Sequence, residues 1–288
     1  MKNSRIRRAR RGFTLIELLV GIVIFAIIGA LFTKLITVQG RFFDRQGMGN
    51  AARNVSRASL NRVVSDFRMI EATGGVIAAS STSLTIRTPY AIGVVCKNSL
   101  IGGTVLSLLP VDSTTYAEAD FYGYAWRNFQ TGAYAYVENP AAKFTGDPAD
   151  CAAVNITTVP NGKTVRITPT APVNVGLGTP VFLYGRTRYE FKASNAVPGK
   201  LGLYRTSVLT NGSEESEELV APFANTAHWK FYTVNGGGVP QAAAPANLAD
   251  MRGLELHLDG TSENIAAGQV SAEQAPFTTA VYFKNRTN

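Results

Sequence analysis

The sequence predicts an α+β fold: one long N-terminal α-helix, half apolar enough for a membrane and half amphipathic, packed on a mostly antiparallel β globular head. Three observations predict it. Phe13 to Thr33 is a run of 21 mainly apolar residues whose one charge is Glu17, and roughly 20 such residues span a bilayer. Leu60, Val63, Val64, Phe67 and Ile70 then recur at helical spacing. After Gly75 the pattern changes to short alternating or aromatic-rich segments separated by turn residues. The expected boundaries are a basic leader over 1–12, the helix over 13–73 with its membrane or assembly part over 13–33, and a β-rich head over 74–288.

The leader explains most of the basic character. The 288 residues carry a net charge of +8, a balance that by itself suggests nucleic acid or anionic lipid. Six of those charges are Lys2, Arg5, Arg7, Arg8, Arg10 and Arg11, and no acid precedes Phe13, so the rest of the chain carries only +2. Basic residues beside a span stay cytoplasmic. The leader therefore speaks to orientation, with the head outward, and a direct nucleic-acid partner is not expected. A hydrophobic content of 45% with 17% charged residues excludes a disordered chain.

Glu17 is the anomaly in the apolar run, because an acid at membrane depth needs a partner. A cut between Gly12 and Phe13 would place a new ammonium on Phe13, at the i,i+4 spacing from Glu17. A secretory signal has a shorter apolar core, with a small-residue cleavage site after it, and Thr33-Lys34-Leu35-Ile36 offers none. A plain signal anchor explains the length but neither Glu17 nor Gly12-Phe13. Further on, Gly40, Gly47 and Gly49 each weaken a helix by about 1 kcal/mol against Ala, so a softer stretch is expected around Gly47-Met48-Gly49. Arg57, Asn61, Arg62, Asp66 and Arg68 lie off the apolar stripe, and Gly74-Gly75 is the expected stop. A helix from Phe13 to about Ala72 would be roughly 90 Å long.

The run Arg-Gly-Phe-Thr-Leu-Ile-Glu-Leu-Leu over 11–19 resembles the leader junction of type IV prepilins and pseudopilins. The resemblance implies a precursor cut by prepilin peptidase after Gly12, N-methylation of Phe13, and a subunit-assembly role for Glu17. It implies other pilin or pseudopilin subunits and the inner-membrane assembly platform as partners. It also implies a location in the inner membrane, with a periplasmic head, before transfer to a pilus or pseudopilus at the cell surface. Many major pilins carry a proline past the first half of the apolar segment; Leu31 to Leu35 has none, which favours a minor pilin or a pseudopilin. Arg188-Tyr189-Glu190-Phe191 with Leu203-Tyr204-Arg205, Leu248 to Leu256, and Phe277 to Val281 with Lys284-Asn285-Arg286 look like PilW-like minor pilins or J-type pseudopilins of type II secretion. The late Arg-Gly and terminal patterns lean towards the former.

In the head, Ser83–Arg87, Thr164–Thr168, Val181–Tyr184, Arg188–Phe191, Trp229–Tyr232, Leu254–Leu258 and Thr279–Phe283 read as strands. Pro160-Asn161-Gly162, Val197-Pro198-Gly199 and Asn235 to Gly238 read as turns. Two cysteines, Cys96 and Cys151, fall in the exported part, where a disulfide between them is the simplest pairing and two buried thiols the alternative. No nucleophile elbow, zinc-protease helix or phosphate loop is present, and His228 and His257 read as strand residues, so the chain is not expected to be an enzyme and no cofactor is required. Glu214, Glu215, Glu217 and Glu218 are the weak metal candidates: calcium takes six to eight oxygens, although the spacing is not that of an EF-hand and a solvated acidic loop reads as well. The aromatic run Phe121 to Phe129, with Tyr122, Tyr124 and Trp126 alternating, reads as a sheet face with Gly132 to Tyr136 as its hairpin partner. Its alternative is a stacking surface, in a membrane-tethered module binding DNA or sugar at a filament tip.

Overall fold

The computed structural model describes residues 14–71, 73–99, 103–118, 121–138, 143–152, 154, 156, 161–167, 175–209 and 211–283. The leader, Gly12 and Phe13 lie outside the described residues, as do Pro160, Thr168 and the terminal Lys284-Asn285-Arg286.

Helix α1 runs unbroken from Leu15 to Arg68, 54 residues and about 80 Å. The expected softening at Gly47-Met48-Gly49 does not occur. Once a helix is nucleated, each added residue gains a hydrogen bond, and the docking of Ala52 and Ser56 just beyond holds this stretch on its axis. The helix also ends earlier than the Gly74-Gly75 signal suggests. Met69 caps it, its N–H reaching back to the Asp66 carbonyl and the Ile70 N–H to that of Phe67. This tightened last turn lets Ile70, fully buried, enter the core.

The buried stripe of α1 is Ala52, Ser56, Ser59, Val63 and Phe67, spaced by three and four residues as one helix face requires. It begins with small residues and ends with large ones, so the helix is gripped in two ways. At its start, the backbone of the head comes very close. A Cβ on Gly260 would stand 2.2 Å from the Ala52 carbonyl oxygen and 2.6 Å from Ser56 Oγ. Ser56 Oγ accepts from the Gly260 N–H at 3.1 Å and donates to the Ala275 carbonyl at 3.2 Å. At its end, Phe67 is wedged edge-on between Tyr189, centroids 5.2 Å apart, and Trp229 at 5.9 Å. Asp66 lies beside that wedge and accepts a hydrogen bond from the Tyr189 hydroxyl, so it does not face away from the head as its polarity suggests.

The head then follows in chain order: β1 Val76–Ala79, β2 Ser83–Ser99, β3 Gly103–Leu108, α2 Pro110–Glu118, β4 Gly123–Arg127, β5 Tyr134–Glu138, β6 Lys143–Thr145, α3 Ala149–Ala152, β7 Thr164–Ile167, β8 Pro180–Ala193, β9 Leu201–Val208, β10 Glu214–Phe223, β11 His228–Thr233, β12 Met251–His257, β13 Gly260–Thr261, β14 Gln274–Ala275 and β15 Thr278–Tyr282. Among the described residues these form a twelve-stranded antiparallel sheet, β14-β13-β10-β9-β8-β2-β3-β7-β6, with β1 on β2 and the β4–β5 hairpin on β8. A second sheet is β11-β12-β15, whose Trp229, Leu254 and Val281 share a core with Phe67.

The spine is the β2–β8 ribbon, paired from Ser83↔Glu190 to Val94↔Pro180. Each of its two strands is longer than the sequence suggests. Pro89 makes β2 look broken, but it sits where the register shifts between Pro89 and Ala91, a place that tolerates a missing N–H. Val181–Tyr184 and Arg188–Phe191 are likewise one strand, β8. The ribbon joins two cores. One gathers Phe67, Leu84, Ile86, Tyr189, Trp229 and Leu254 around the helix end. The other gathers Val95, Leu106, Tyr124, Val165, Val181 and Leu183. Helix α2 packs against β2 on that second side. Its Pro110 opening and first-turn Asp112 are start signals that went unread in the sequence.

The Cys96–Cys151 disulfide is formed, with Cα atoms 4.7 Å apart. It ties β2 to α3 beside Val105. It closes a separation of 55 residues, so the double replacement Cys96→Ser/Cys151→Ser should lower unfolding stability by up to about 4 kcal/mol. An unchanged urea midpoint would show that the bridge contributes nothing. Gly260→Ala should lower stability by about 1–3 kcal/mol, because the intruding methyl meets backbone that cannot swing aside. A melting temperature equal to that of the parent chain would refute the close approach.

Candidate assembly helix and the surfaces around it

The apolar first half of α1 packs on none of the other described residues. It is long and apolar enough to cross a membrane, and the residues of its most apolar window are unburied. Leu15 and Phe25 are 83% and 80% exposed. The backbone is satisfied internally by the helix, as hydrocarbon requires. The side-chain hydroxyls are too: Thr33 Oγ1 donates to the Gly29 carbonyl at 2.9 Å and Thr37 Oγ1 to the Thr33 carbonyl at 2.8 Å.

Glu17 is not unpartnered. Thr14 is the N-cap, and Glu17 occupies the third helical position. The Thr14 N–H and hydroxyl both donate to Glu17 Oε2 at 2.9 Å, and the Glu17 N–H donates to Thr14 Oγ1 at 3.3 Å. This is a reciprocal capping box, placed where the positive end of the helix dipole favours an anion. The Thr-x-x-Glu spacing that announces it stands in the sequence, and was missed behind the i,i+4 relation to Phe13. The pairing expected with a Phe13 amine lies outside the described residues.

Near its midpoint the helix is strapped to the C-terminal part of the head. Arg45 Nε meets Glu273 Oε1 at 2.8 Å, and a Cβ on Gly268 would stand 3.6 Å from the Arg41 side chain. These contacts, with Ser56 and Phe67, fix the direction in which the apolar half leaves the head.

The other residues singled out in the sequence take structural places. The acidic run is strand, not loop: β10 pairs with β9 from Glu214↔Val208 onward. Alternation sends its carboxylates to different sides of the sheet. Glu214 is gripped by Arg188 through two bonds of 2.7 and 2.5 Å, which holds its pKa below the usual carboxylate range. Glu218 accepts from the Ser194 and Tyr204 hydroxyls and from the Asn195 and Ala196 N–H groups. Among the described residues no three His, Cys, Asp or Glu side chains gather as a metal site, so Glu214, Glu215, Glu217 and Glu218 form no such cluster. His228 and His257 are cross-strand partners with rings stacked at 4.2 Å, and His257 Nε2 lies 2.6 Å from Glu255. The expected β4–β5 hairpin is present, from Gly123↔Glu138 to Arg127↔Tyr134. Tyr124 is fully buried and Trp126 packs against the same core, so these rings form a sheet face and not an open stacking platform.

One concave feature was not legible from the sequence. A cleft of about 270 Å³ opens where the chain leaves α1, between Met69 and Glu71, the β5 side chains Tyr134 and Tyr136, and the β8 side chains Phe182 and Tyr184. Arg87 forms its floor. Its guanidinium lies over the Tyr136 ring, 4.6 Å from the centroid, and 5.7 Å from that of Tyr184. It donates to the Gly74 carbonyl and, at 2.6 Å, to Glu138. Gly74 has φ of 81°, and a Cβ there would strike the Tyr136 ring, so only glycine suits this turn. Burial pushes the Tyr184 phenol up to about 12 and that of Tyr136 higher still, the latter aided by Glu71. Both rings are therefore neutral phenols at ordinary pH.

Comparison with known proteins places a name on the N-terminal part alone. The model of the prokaryotic N-terminal methylation motif matches residues 7–33. No curated protein and no solved structure matches the chain. The matched segment covers the basic leader, the Gly12-Phe13 junction, Glu17 and the apolar run as far as Thr33. That motif, continuous with a helix able to cross a membrane, supports a prepilin-type, type IV pilin-like protein, a class whose members are generally structural filament subunits and are anchored in the inner membrane before assembly.

Proposed function

We propose that this chain is a minor pilin or pseudopilin, cut by prepilin peptidase after Gly12, N-methylated at Phe13, and built into a type IV pilus or type II secretion-like filament through α1. The observation that carries the proposal is the methylation motif at 7–33 running without a break into a helix whose apolar half is unburied. A surface of that size exposed to water is unfavourable at about 25 cal/mol per Å². Two environments remove it: a bilayer before assembly, and a bundle of like helices afterwards. The head stays outside both, periplasmic at first and on the filament later, and the leader stays cytoplasmic.

Within this class we favour a PilW-like minor pilin over a J-type pseudopilin. The late Arg252-Gly253 and the terminal Phe277 to Arg286 patterns support that preference, whereas Arg188-Tyr189-Glu190-Phe191 and Leu203-Tyr204-Arg205, which face one another across the β8–β9 hairpin, fit both. Neighbouring genes distinguish the two, pilus and minor-pilin genes in the one case and a secretin-and-secretion cluster in the other.

The geometry of Glu17 supports an assembly role. Its carboxylate has one oxygen engaged by Thr14, which leaves acceptor capacity on the other for a neighbouring subunit's amine. Glu17→Ala should therefore reach the membrane and fold with an intact head, yet fail to enter sheared filament fractions. Normal incorporation of that variant, by immunoblot of the sheared fraction, would sink the assembly role. Gly12→Ser should leave a longer, unprocessed chain, and intact-mass measurement finding a mature Phe13 terminus in it would refute the cleavage position.

A further inference from the structure

We propose that the loop between β13 and β14, over residues 262–273, docks on a bilayer surface beside α1: Val270 and Ile265 enter the leaflet facing the head, and Arg41 meets lipid phosphate. This rests on the reading of the first half of α1 as a membrane span, and its test separates the two.

The β13–β14 hairpin descends along the helix towards the apolar half. Gly260 of β13 bonds to Ser56, Glu273 just before β14 meets Arg45, and a Cβ on Gly268, within the loop, would stand 3.6 Å from Arg41. From Ser56 to Arg41 is about 22 Å of helix. Hydrogen bonds shape the loop. The Ser262 N–H donates to the Glu273 carbonyl at 2.8 Å and the Gln269 N–H to the Ala266 carbonyl at 3.0 Å. Ser262 Oγ donates to the Asn264 carbonyl at 2.7 Å, and Ala266 is buried. Yet Val270 is 97% exposed and Ile265 55%. The loop is built, and it holds two β-branched apolar side chains in water. Insertion between lipids removes that apolar area from water.

Height agrees. Apolar character outlasts Thr33: Leu35, Ile36 and Val38 are exposed, and between Glu17 and Arg41 the one charge is Lys34, whose stem carries its ammonium outward. Leu15 to Val38 is 24 residues. That is about 36 Å of helix against a hydrocarbon core of about 30 Å, a difference that tilt absorbs. Arg41 follows about 4–5 Å further on, inside a headgroup zone of roughly 5–7 Å per side. The loop touching Arg41 is therefore level with the headgroups.

Val38, Arg41, Phe42 and Arg45 fall at three- and four-residue spacing on one helix face. Arg45 is held by Glu273, whereas no acid pairs with Arg41 among the described residues, so its guanidinium is available to a phosphate oxygen. Asp44 and Glu263 balance Lys34 and Arg41, which makes apolar insertion, and not net charge, the source of the contact. A bilayer is favoured over a second copy of the chain because the span brings lipid to this height in every unassembled subunit.

The test uses the full chain in vesicles of phosphatidylethanolamine and phosphatidylglycerol. A fluorophore is attached through Gln269→Cys, Phe129→Cys or Ile24→Cys, one at a time; Cys96 and Cys151 are bridged and do not react. Lipids carry a nitroxide quencher on the headgroup or at mid-chain. At position 269 the headgroup quencher should remove most of the fluorescence, and Val270→Asp with Ile265→Asp should restore it. At position 129, on the β4–β5 turn beside the distant cleft, neither quencher should act. At position 24 the mid-chain quencher should act in every variant. Both replaced side chains are exposed, so the melting temperature should stay that of the parent, and Val270→Asp alone should restore part of the signal. Quenching at 24 without quenching at 269, or quenching at 269 that survives the double replacement, overturns the docking and leaves the span standing. Protection of the 269 probe from aqueous iodide that appears only on raising the protein-to-lipid ratio identifies a second copy as the occupant and also overturns it. An unquenched probe at 24 overturns the span, and the docking with it.

Discussion

The rest of the structure depends on the seating of Phe67. This side chain is the last buried one of α1 and stands between two sheets, edge-on to Tyr189 of the large sheet and to Trp229 of the small one. Val63 enters the same core from the helix, but it is Phe67 that has a ring of each sheet against it. With it, a helix whose apolar first half packs on none of the other described residues is held at its far end with a defined direction. The small residues at Ala52 and Ser56 serve the same purpose by other means. They bring the Gly260 backbone to hydrogen-bond distance, so the helix is located by close approach at one point and by ring packing about four turns later. Two separated points define a line, which a single anchor would not.

The β2–β8 ribbon transmits that alignment through the head. Its residues alternate as a strand must: Tyr189 and Phe191 enter the helix core, Val181 and Leu183 enter the second core, and Phe182 and Tyr184 turn to the cleft. The cleft exists because β8 has two partners on one edge, β4 over Val181–Tyr184 and β9 over Arg186–Ala193. At that fork neither neighbour covers the ribbon, and the chain leaving α1 passes over the gap. The disulfide lies at the other end of β2 from the helix core, so stabilisation of the distal core is covalent, whereas that of the helix core rests on aromatic packing.

Residue spacing made the helix and most strands legible, because period and polarity are local. Phe67 and Ile70 announce their burial by their positions relative to Val63. What was hidden depends on partners far away in the chain. Pro89 reads as a break until its register shift opposite β8 is known. The glutamates of β10 read as a solvated loop because four acids in five residues oppose strand propensity; pairing with β9 and the Arg188 grip on Glu214 override that local preference. Gly47 and Gly49 were over-weighted, since a per-residue propensity ignores a helix already fixed on both sides. The cleft was the least legible feature. Glu71, Arg87, Tyr134 and Tyr184 come from four separate segments, and no spacing rule relates them.

Glu17 gains a different meaning from its capping box. An acid in an apolar segment is usually treated as a charge waiting for a partner. Here the partner is the helix's own first turn, so the precursor or mature chain can rest in a membrane with its helix end closed and its carboxylate bonded. Under the proposed assembly, a neighbouring amine then adds to that arrangement or displaces Thr14 from it. Only the difference between those two states favours assembly, because a ligand shifts an equilibrium by its differential interaction and not by its total strength. On that reading the pairing at a capped Glu17 acts through register more than through strength, and a chain without the carboxylate has nothing to select that register. Under the proposed assembly the drive comes from packing the long apolar surface of α1, and Glu17 selects the register in which that packing is reached.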